Sequence, residues 1–471
     1  MRFGFSQWTA GSASGALVCA LLAATPAISQ SSYDLYNGGK TREALALAHA
    51  ELNAVMEAGK PGQRWEHLMY VAWLEESTGN HKAAFDLAKR AWELAIADGN
   101  SFKVGRSLCW LGWSATSLGL YQLALELYEA AIELAEAAGG RDKLPAVWGL
   151  ATQEKGAVLA KMGELDAGAA LIEETTDYAR KHGIAVGVAE GGAHLARIAL
   201  QRGNWSEATA RADEALLAAE DCGCSAYNTN RARLVRARIA LERARIDPKY
   251  ASEAEHRIRG ALEQAKQVSD KRHVAEAQLL LSRAIDDRDL ETRIELVQAA
   301  AETLHEMKSE LRGTADGRLG ALLLGTDQLD LAGFHLESGL SINLDLGRKL
   351  DAAYILGDLA EIDLLANDPS AHLEKWMESA DQAESSGAWP LAAESQERVA
   401  EELFRLGFMT LSQQWSEKAL HSIEQMLENV EDRERRKSLE WRTLTLQERI
   451  VEIGIELDHS PAMLPGDFKP T

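Results

Sequence analysis

The chain reads as apolar and alanine-rich helical stretches punctuated by glycine at a regular interval. Gly39, Gly79, Gly119, Gly163 and Gly203 stand 40, 40, 44 and 40 residues apart, and each is followed five positions later by a small residue: Ala44, Ala84, Ala124, Gly168 and Ala208. An apolar helix precedes each glycine and a second one follows it. The clearest case is Ser107-Leu108-Cys109-Trp110-Leu111-Gly112-Trp113 ahead of Gly119 and Leu123-Ala124-Leu125-Glu126-Leu127-Tyr128 behind it. This spacing predicts a helical hairpin per interval. Glycine ends the first helix because it adopts the left-handed conformation without a Cβ penalty, and the small residue lets the second backbone approach the first.

The glycine marker fades after Gly203, yet Gly407 ends another such helix 368 residues beyond Gly39, or nine intervals of about 41 residues. Ten hairpins are therefore expected. The weaker turns fall at Arg245 to Pro248, Asp286 to Asp289, Thr326 to Asp327 and Asn367 to Pro369, all rich in turn-forming or helix-breaking residues. Between the two ends of the chain, prolines occur only at 61, 145, 248, 369 and 390, where turns or helix starts are expected. No stretch alternates with period two over a strand length, so the expected fold is all-α.

The third hairpin carries Leu108, Leu111, Gly112, Gly119, Tyr121, Ala124, Tyr128 and Ala131; the second carries Ala72, Gly79, Ala84, Ala88 and Ala91; the fifth carries Ala196, Gly203, Trp205, Ala208, Ala212 and Ala215. At these spacings the chain resembles the tetratricopeptide repeat (TPR) superfamily, in its long form of about 40 residues. The resemblance covers roughly residues 32 to 428, although the sixth to ninth hairpins lack the turn glycine. It implies a right-handed superhelical solenoid of antiparallel hairpins whose first helices line a concave groove. The expected organisation is a cleaved signal peptide over 1–29, about ten TPR-like hairpins over 30–428, a C-terminal capping helix over 429–458 and a disordered tail over 459–471. In the capping stretch Glu431 to Gly454, Leu439, Trp441, Leu444, Leu446 and Ile450 would cover the open end of the stack.

The leader reading rests on Arg2, the ten apolar residues from Gly15 to Ala24, and Pro26-Ala27-Ile28-Ser29, a small-x-small cleavage pattern that places the cut after Ser29. Val18 ahead of Cys19 argues against a lipid anchor. No other stretch reaches the ~18 apolar residues of a membrane span, so the expected product is periplasmic or secreted, without stable membrane insertion.

Composition narrows the function. A hydrophobic fraction of 46% with nine prolines in 471 residues excludes a disordered chain. Fifty Lys and Arg against 72 Asp and Glu leave a formal charge of -22, which repels polyphosphate, so no nucleic-acid partner is expected. Four cysteines, one of them in the leader, allow at most one bridge. Cys222-Gly223-Cys224 is either a pair of thiols in a turn or a strained small-ring disulfide, and Cys109 reads as a small buried hydrophobe. No motif for a nucleophile, a phosphate loop or a zinc site occurs. His305-Glu306 lacks a second histidine four residues on, and the twelve histidines are scattered. No enzyme activity, cofactor or metal is expected.

What remains is binding. With each turn glycine set as position 15 of its hairpin, Trp73 and Trp113 both occupy position nine of the first helix, followed in the next two hairpins by Ala157 and Arg197. The resemblance places that position in the groove, giving Trp73, Trp113 and Arg197, with Glu66 and Met69 beside them, as the partner-binding candidates. Alternatively, helix curvature turns both tryptophans into the core between hairpins. The family's clamp for C-terminal carboxylates finds no match at Met69, Trp73, Trp110, Leu150 or Glu154. Glu66, Glu76, Glu154 and Glu190 would make the groove mildly acidic, suited to basic or apolar segments. The expected function is an exported, non-enzymatic scaffold that binds a protein or peptide. The alternative is a peptide-sensing module regulating a separately encoded signalling or proteolytic enzyme.

Overall fold

The computed structural model describes residues 30–37, 40–58, 61–222, 226–286, 288–326, 328–428, 430 and 433–459. The leader, Gly39, Cys224 and the tail after 459 lie outside the described residues. Among the described residues there are 21 α-helices, two 3-10 turns and no strand.

The helices follow one another as antiparallel neighbours. They run α1 (Gln30–Asn37), α2 (Thr41–Glu57), α3 (Pro61–Ser77), α4 (His81–Ala97), α5 (Ser101–Ser117), α6 (Tyr121–Ala137), α7 (Pro145–Lys161) and α8 (Leu165–Lys181). Next come α9 (Ala185–Gln201), α10 (Trp205–Asp221), α11 (Ala226–Ile246), α12 (Ala251–Gln267), α13 (Lys271–Ala284), α14 (Leu290–Glu306) and α15 (Arg312–Leu323). The series closes with α16 (Leu329–Asp345), α17 (Lys349–Leu365), α18 (Pro369–Ser385), α19 (Trp389–Arg405), α20 (Met409–Glu428) and α21 (Arg433–His459). Pairing them two by two gives ten hairpins, followed by α21 on its own.

The turns explain why a single sequence rule runs so far. Gly79, Gly119, Gly203 and Gly407 have φ between 79° and 85°, and the links between hairpins use the same device at Gly99 and Gly183. Where glycine is missing, polar caps take over. Asn367 itself adopts φ 60°, and the Asp247, Asp289 and Asp368 carboxylates accept hydrogen bonds from the backbone N–H groups of Lys249, Thr292 and Ala371. All five interior prolines sit at the start of a helix or 3-10 turn, where the missing N–H costs nothing.

The small residue after each turn is a packing requirement. Ala44, Ala84, Ala124 and Ala208 are fully buried. In the fourth hairpin two glycines meet, and a β-carbon on Gly168 would stand 2.6 Å from the Gly156 carbonyl oxygen. In the third, the Tyr128 ring occupies the space over Gly112 that a β-carbon would fill.

The chain divides into two compact units. The first comprises the described part of Met1–Lys161 with Leu165–Arg197 and Thr209–Ala315; the second comprises Met162–Glu164, Ile198–Ala208 and the described part of Asp316–Thr471. Within the first unit the array closes on itself. Thr41 Oγ1 donates to the Val268 carbonyl at 2.6 Å, the Glu310 N–H donates to the Ser117 carbonyl at 3.0 Å, and Met307 covers Gly79. Within the second, Trp376, Val399, Leu403 and Trp415 form a core, and α21 packs Leu439 and Leu446 against Ile423 and Met426. Arg442 of α21 donates to both oxygens of Glu397 at 2.6 and 2.8 Å. The seam 439-446-453 decides which face of α21 is buried, so Trp441 and Leu444, expected to cover the stack, are instead 69% and 57% exposed.

Candidate functional site

Five first helices of successive hairpins, α5, α7, α9, α11 and α13, converge on one cleft inside the first unit. It is lined by Trp113 and Ser117, by Glu154 and Lys161, by His194 and Arg197, by Tyr227, Arg231 and Arg238, and by Arg272, His273 and Glu276. The open cavity left between these side chains is about 30 Å³. The wall is aromatic on one side. Trp113 meets Tyr227 edge-on at 5.5 Å between centroids and lies 4.7 Å from Trp110, and His273 stacks obliquely on Tyr227 at 4.7 Å.

The other side is cationic. The Arg231 guanidinium donates to the Tyr227 hydroxyl at 3.0 Å and lies 3.2 Å from His194 Nε2, while Arg197 lies 3.1 Å from His194 Nδ1. Arg272 donates to Glu276 at 3.2 Å and to Glu310 at 2.6 Å, and Lys161 donates to the same Glu310 oxygen at 3.1 Å. Glu310 is wholly buried at this end of the cleft. Burial pushes His194 down to about 4, so it is neutral at pH 7. Burial works against ionisation of Glu276 and Glu154, but Arg272 beside the first, and His194, Arg231 and Lys161 beside the second, hold each down at about 2. Burial, helped by the like charges of neighbouring arginines, pulls Arg197 down to about 10.

The sequence-derived candidates separate into two groups. Trp113 and Arg197 lie together in the cleft. Trp73 and Met69 do not: they are 5% and 6% exposed, and the Tyr36 ring of α1 covers Trp73 at 4.4 Å. They are core residues, because α1 packs over the first hairpins where later ones lie open. Glu66 is engaged by Lys103 at 3.5 Å, and Glu76 is buried against His81 and Ser114. The cleft is consequently basic, which reverses the mildly acidic groove expected from Glu66, Glu76, Glu154 and Glu190; only Glu154 of these lines it.

Tyr227, Arg231, Arg238, Lys161 and Arg272 escaped the sequence reading. A signal was present: residues 231–245 hold six arginines and one carboxylate in a chain of net charge -22. Cys109 is a buried thiol, pushed up by burial to about 12. Cys222 is disulfide-bonded, which excludes the free-thiol reading for that residue, and Cys224 lies outside the described residues. His305 and Glu306 are exposed at the end of α14. Among the described residues, no helix is long and apolar enough to cross a membrane, and no three His, Cys, Asp or Glu side chains group as for a metal ion.

Antiparallel helices, most of them 17 residues long, repeating as pairs at about 40 residues with a left-handed turn and a fully buried small residue, define a TPR-like helical-repeat protein. No family model and no curated protein matches the chain. Among solved structures it is similar to a Rap protein complexed with competence and sporulation factor, at 14% identity over 88% of this chain and 99% of that one, TM-score 0.43. It is similar also to the human IFIT1 dimer with PPP-AAAA, at 12% identity over 90% and 89% of the two chains, TM-score 0.44. A third is a signal-transduction ATPase with a tetratricopeptide repeat sensor from Pyrococcus horikoshii, at 10% identity over 73% of this chain and 53% of that one, TM-score 0.43.

Proposed function

We propose that this chain is a non-enzymatic binding protein that takes a peptide or protein segment into the cleft of its first unit, and that it acts outside the cytoplasm. The observation that carries the reading is the convergence of five successive first helices on one wall of paired aromatic rings and arginines. Such a wall offers an apolar face and directional donors together, the combination that binding hot spots use. The groups suited to acid-base chemistry are engaged with one another: His194 lies between two guanidiniums and Glu154, and Glu276 is held by Arg272. The apolar run Gly15 to Ala24 ahead of Pro26 supports the extracytoplasmic location. Cell fractionation of the full chain against one starting at Gln30 tests that part.

For the binding reading, peptides are selected from a displayed random library on the whole protein. They should lose about tenfold in affinity with Trp113→Ala, a change of about 1.4 kcal/mol, and none with Leu217→Ala, an exposed control on α10. Selected peptides that bind Trp113→Ala as well as the wild type would place binding elsewhere and end the cleft reading.

One observation favours a sensing role as a second reading. Glu310, in the turn before α15, ties α5, α7 and α13 together through Ser117, Lys161 and Arg272. A ligand competing for those cations would release this clasp. Small-angle scattering with a selected peptide separates the two: a sensor changes its radius of gyration, and a scaffold does not.

A further inference from the structure

The last helix carries a second seam, which its own unit leaves uncovered. At 27 residues α21 is the longest helix among the described residues, against 17 for most repeat helices. One face packs inward: Leu439, Leu446 and Ile453, seven residues apart, are buried, the first two against α20. Lys437, Trp441, Leu444, Glu448 and Val451 form another row, spaced 4, 3, 4 and 3 residues apart, and all five are exposed. Each buried residue lies two positions from its neighbours in that row, about 200° round the helix, so the row faces away from α20. Arg442 and Arg449 fix this orientation, donating to Glu397 and Glu401 of α19 at 2.6 and 3.2 Å. The 4-3-4-3 spacing is that of a coiled-coil seam, which calls for another helix. Among the described residues, Lys437 and Glu448 make no ion pair.

We propose that this row is a self-association surface: α21 of one copy pairs antiparallel with α21 of a second copy, about a two-fold axis between Arg442 and Thr443. Counted from that axis the row is symmetrical, with Trp441 and Leu444 equally far to either side and Lys437 and Glu448 equally far beyond them. Each Trp441 therefore packs on the other copy's Leu444, and each Lys437 meets the other copy's Glu448. A parallel pair would set lysine against lysine and glutamate against glutamate, so charge selects the antiparallel arrangement. The same symmetry selects the occupant, because an interface between two copies about a two-fold axis must complement itself, as this row does. Few apolar side chains take part from each copy, so the interface is small, under about 1,200 Å² in total, and micromolar affinity is expected. The proposal does not depend on the cleft of the first unit.

Sedimentation velocity of the whole protein tests it over concentrations from about 1 to about 100 μM, in about 0.15 M salt that screens its charge of -22 beyond about 8 Å. A monomer–dimer equilibrium is expected. Trp441→Glu should raise the dimer Kd at least about tenfold. Helicity by circular dichroism should not change, since this exposed ring is no part of its own unit's core. Lys437→Glu and Glu448→Lys should each weaken the dimer about tenfold, because each sets like charges together twice. The double exchange should restore it, since only pairing of 437 with 448 across the axis re-forms. A photo-reactive benzoylphenylalanine in place of Leu444 should cross-link to the second copy beside Trp441. A wild type that stays monomeric over the whole range would overturn the proposal, and a cross-link to residues after 459 of the same chain would assign the face to that segment instead. A dimer indifferent to Trp441→Glu would place the contact elsewhere and overturn it too. Single exchanges that weaken the dimer without recovery in the double exchange would overturn the antiparallel register.

Discussion

Gly168→Ala tests the claim that the small residue after each turn is demanded by packing. A β-carbon at 168 would meet the Gly156 carbonyl oxygen at 2.6 Å, the Ala160 nitrogen at 3.0 Å and the Ala160 β-carbon at 3.1 Å. Two of these are backbone atoms of α7, so no side-chain rotation relieves the contact. Restoring ordinary contact near 3.4 Å requires α7 and α8 to part by about 0.8 Å at their closest point, an overpacking strain of about 1–3 kcal/mol. Alanine returns up to about 1 kcal/mol through its better helix propensity. With the full propensity gain the net expectation is a loss of up to about 2 kcal/mol. Gly260→Ala supplies the internal control: it too lies inside a helix, α12, but nothing stands within 4 Å of the added carbon. There the propensity term acts alone and stability rises by about 0.5–1 kcal/mol. Urea unfolding followed by circular dichroism reads the opposite signs. Hydrogen exchange should place the Gly168→Ala loss in the amides of α7 and α8. If the two variants shift stability alike, the close-approach argument is wrong and the repeating small residue has another cause.

Other residues make equally direct tests. Trp73→Ala removes a 5%-exposed ring from the core beside Tyr36, and should cost about 3–5 kcal/mol in chemical denaturation. A cost below about 1 kcal/mol would return Trp73 to an open surface. Glu310→Gln takes the buried charge from Lys161 and Arg272; with Glu276 still on Arg272, a loss of about 3 kcal/mol is expected. Faster exchange at the amides around Ser117 should accompany it, and unchanged protection there would show that no clasp exists. Glu190 is raised to about 7, chiefly by burial and then by Glu154, against the opposing charges of Arg231 and Arg106. Its folded value exceeds the unfolded one of about 4.3, so its contribution is fully present below that pH and is lost as pH rises through 7. Glu190→Gln should therefore lessen the fall in stability between pH 5 and 8; parallel pH profiles for variant and wild type would refute the assignment.

The amino-acid sequence by itself determined the features that depend on neighbours in the chain. Hairpin length, the turn positions and the placement of prolines follow from local sterics: Gly79 must be left-handed wherever its hairpin lies, and Pro145 can only start a helix. The weaker turns near 247, 289 and 368 were legible for the same reason, because aspartate caps act on the next three residues. The cleft was not legible, since Trp113, Arg197, Arg231 and Arg272 lie on four different hairpins and become neighbours only when first helices stack. Trp73 and Trp113 carry the same register in adjacent hairpins, yet Tyr36 covers one ring and the cleft exposes the other. No periodicity encodes that difference. It arises from closure of the first unit, where Thr41 reaches Val268 across 227 residues and Glu310 reaches Lys161 across 149. Those contacts bury carboxylates that the sequence marked as groove residues and gather arginines from an acidic chain into one wall, because burial and charge pairing are decided by which surfaces meet.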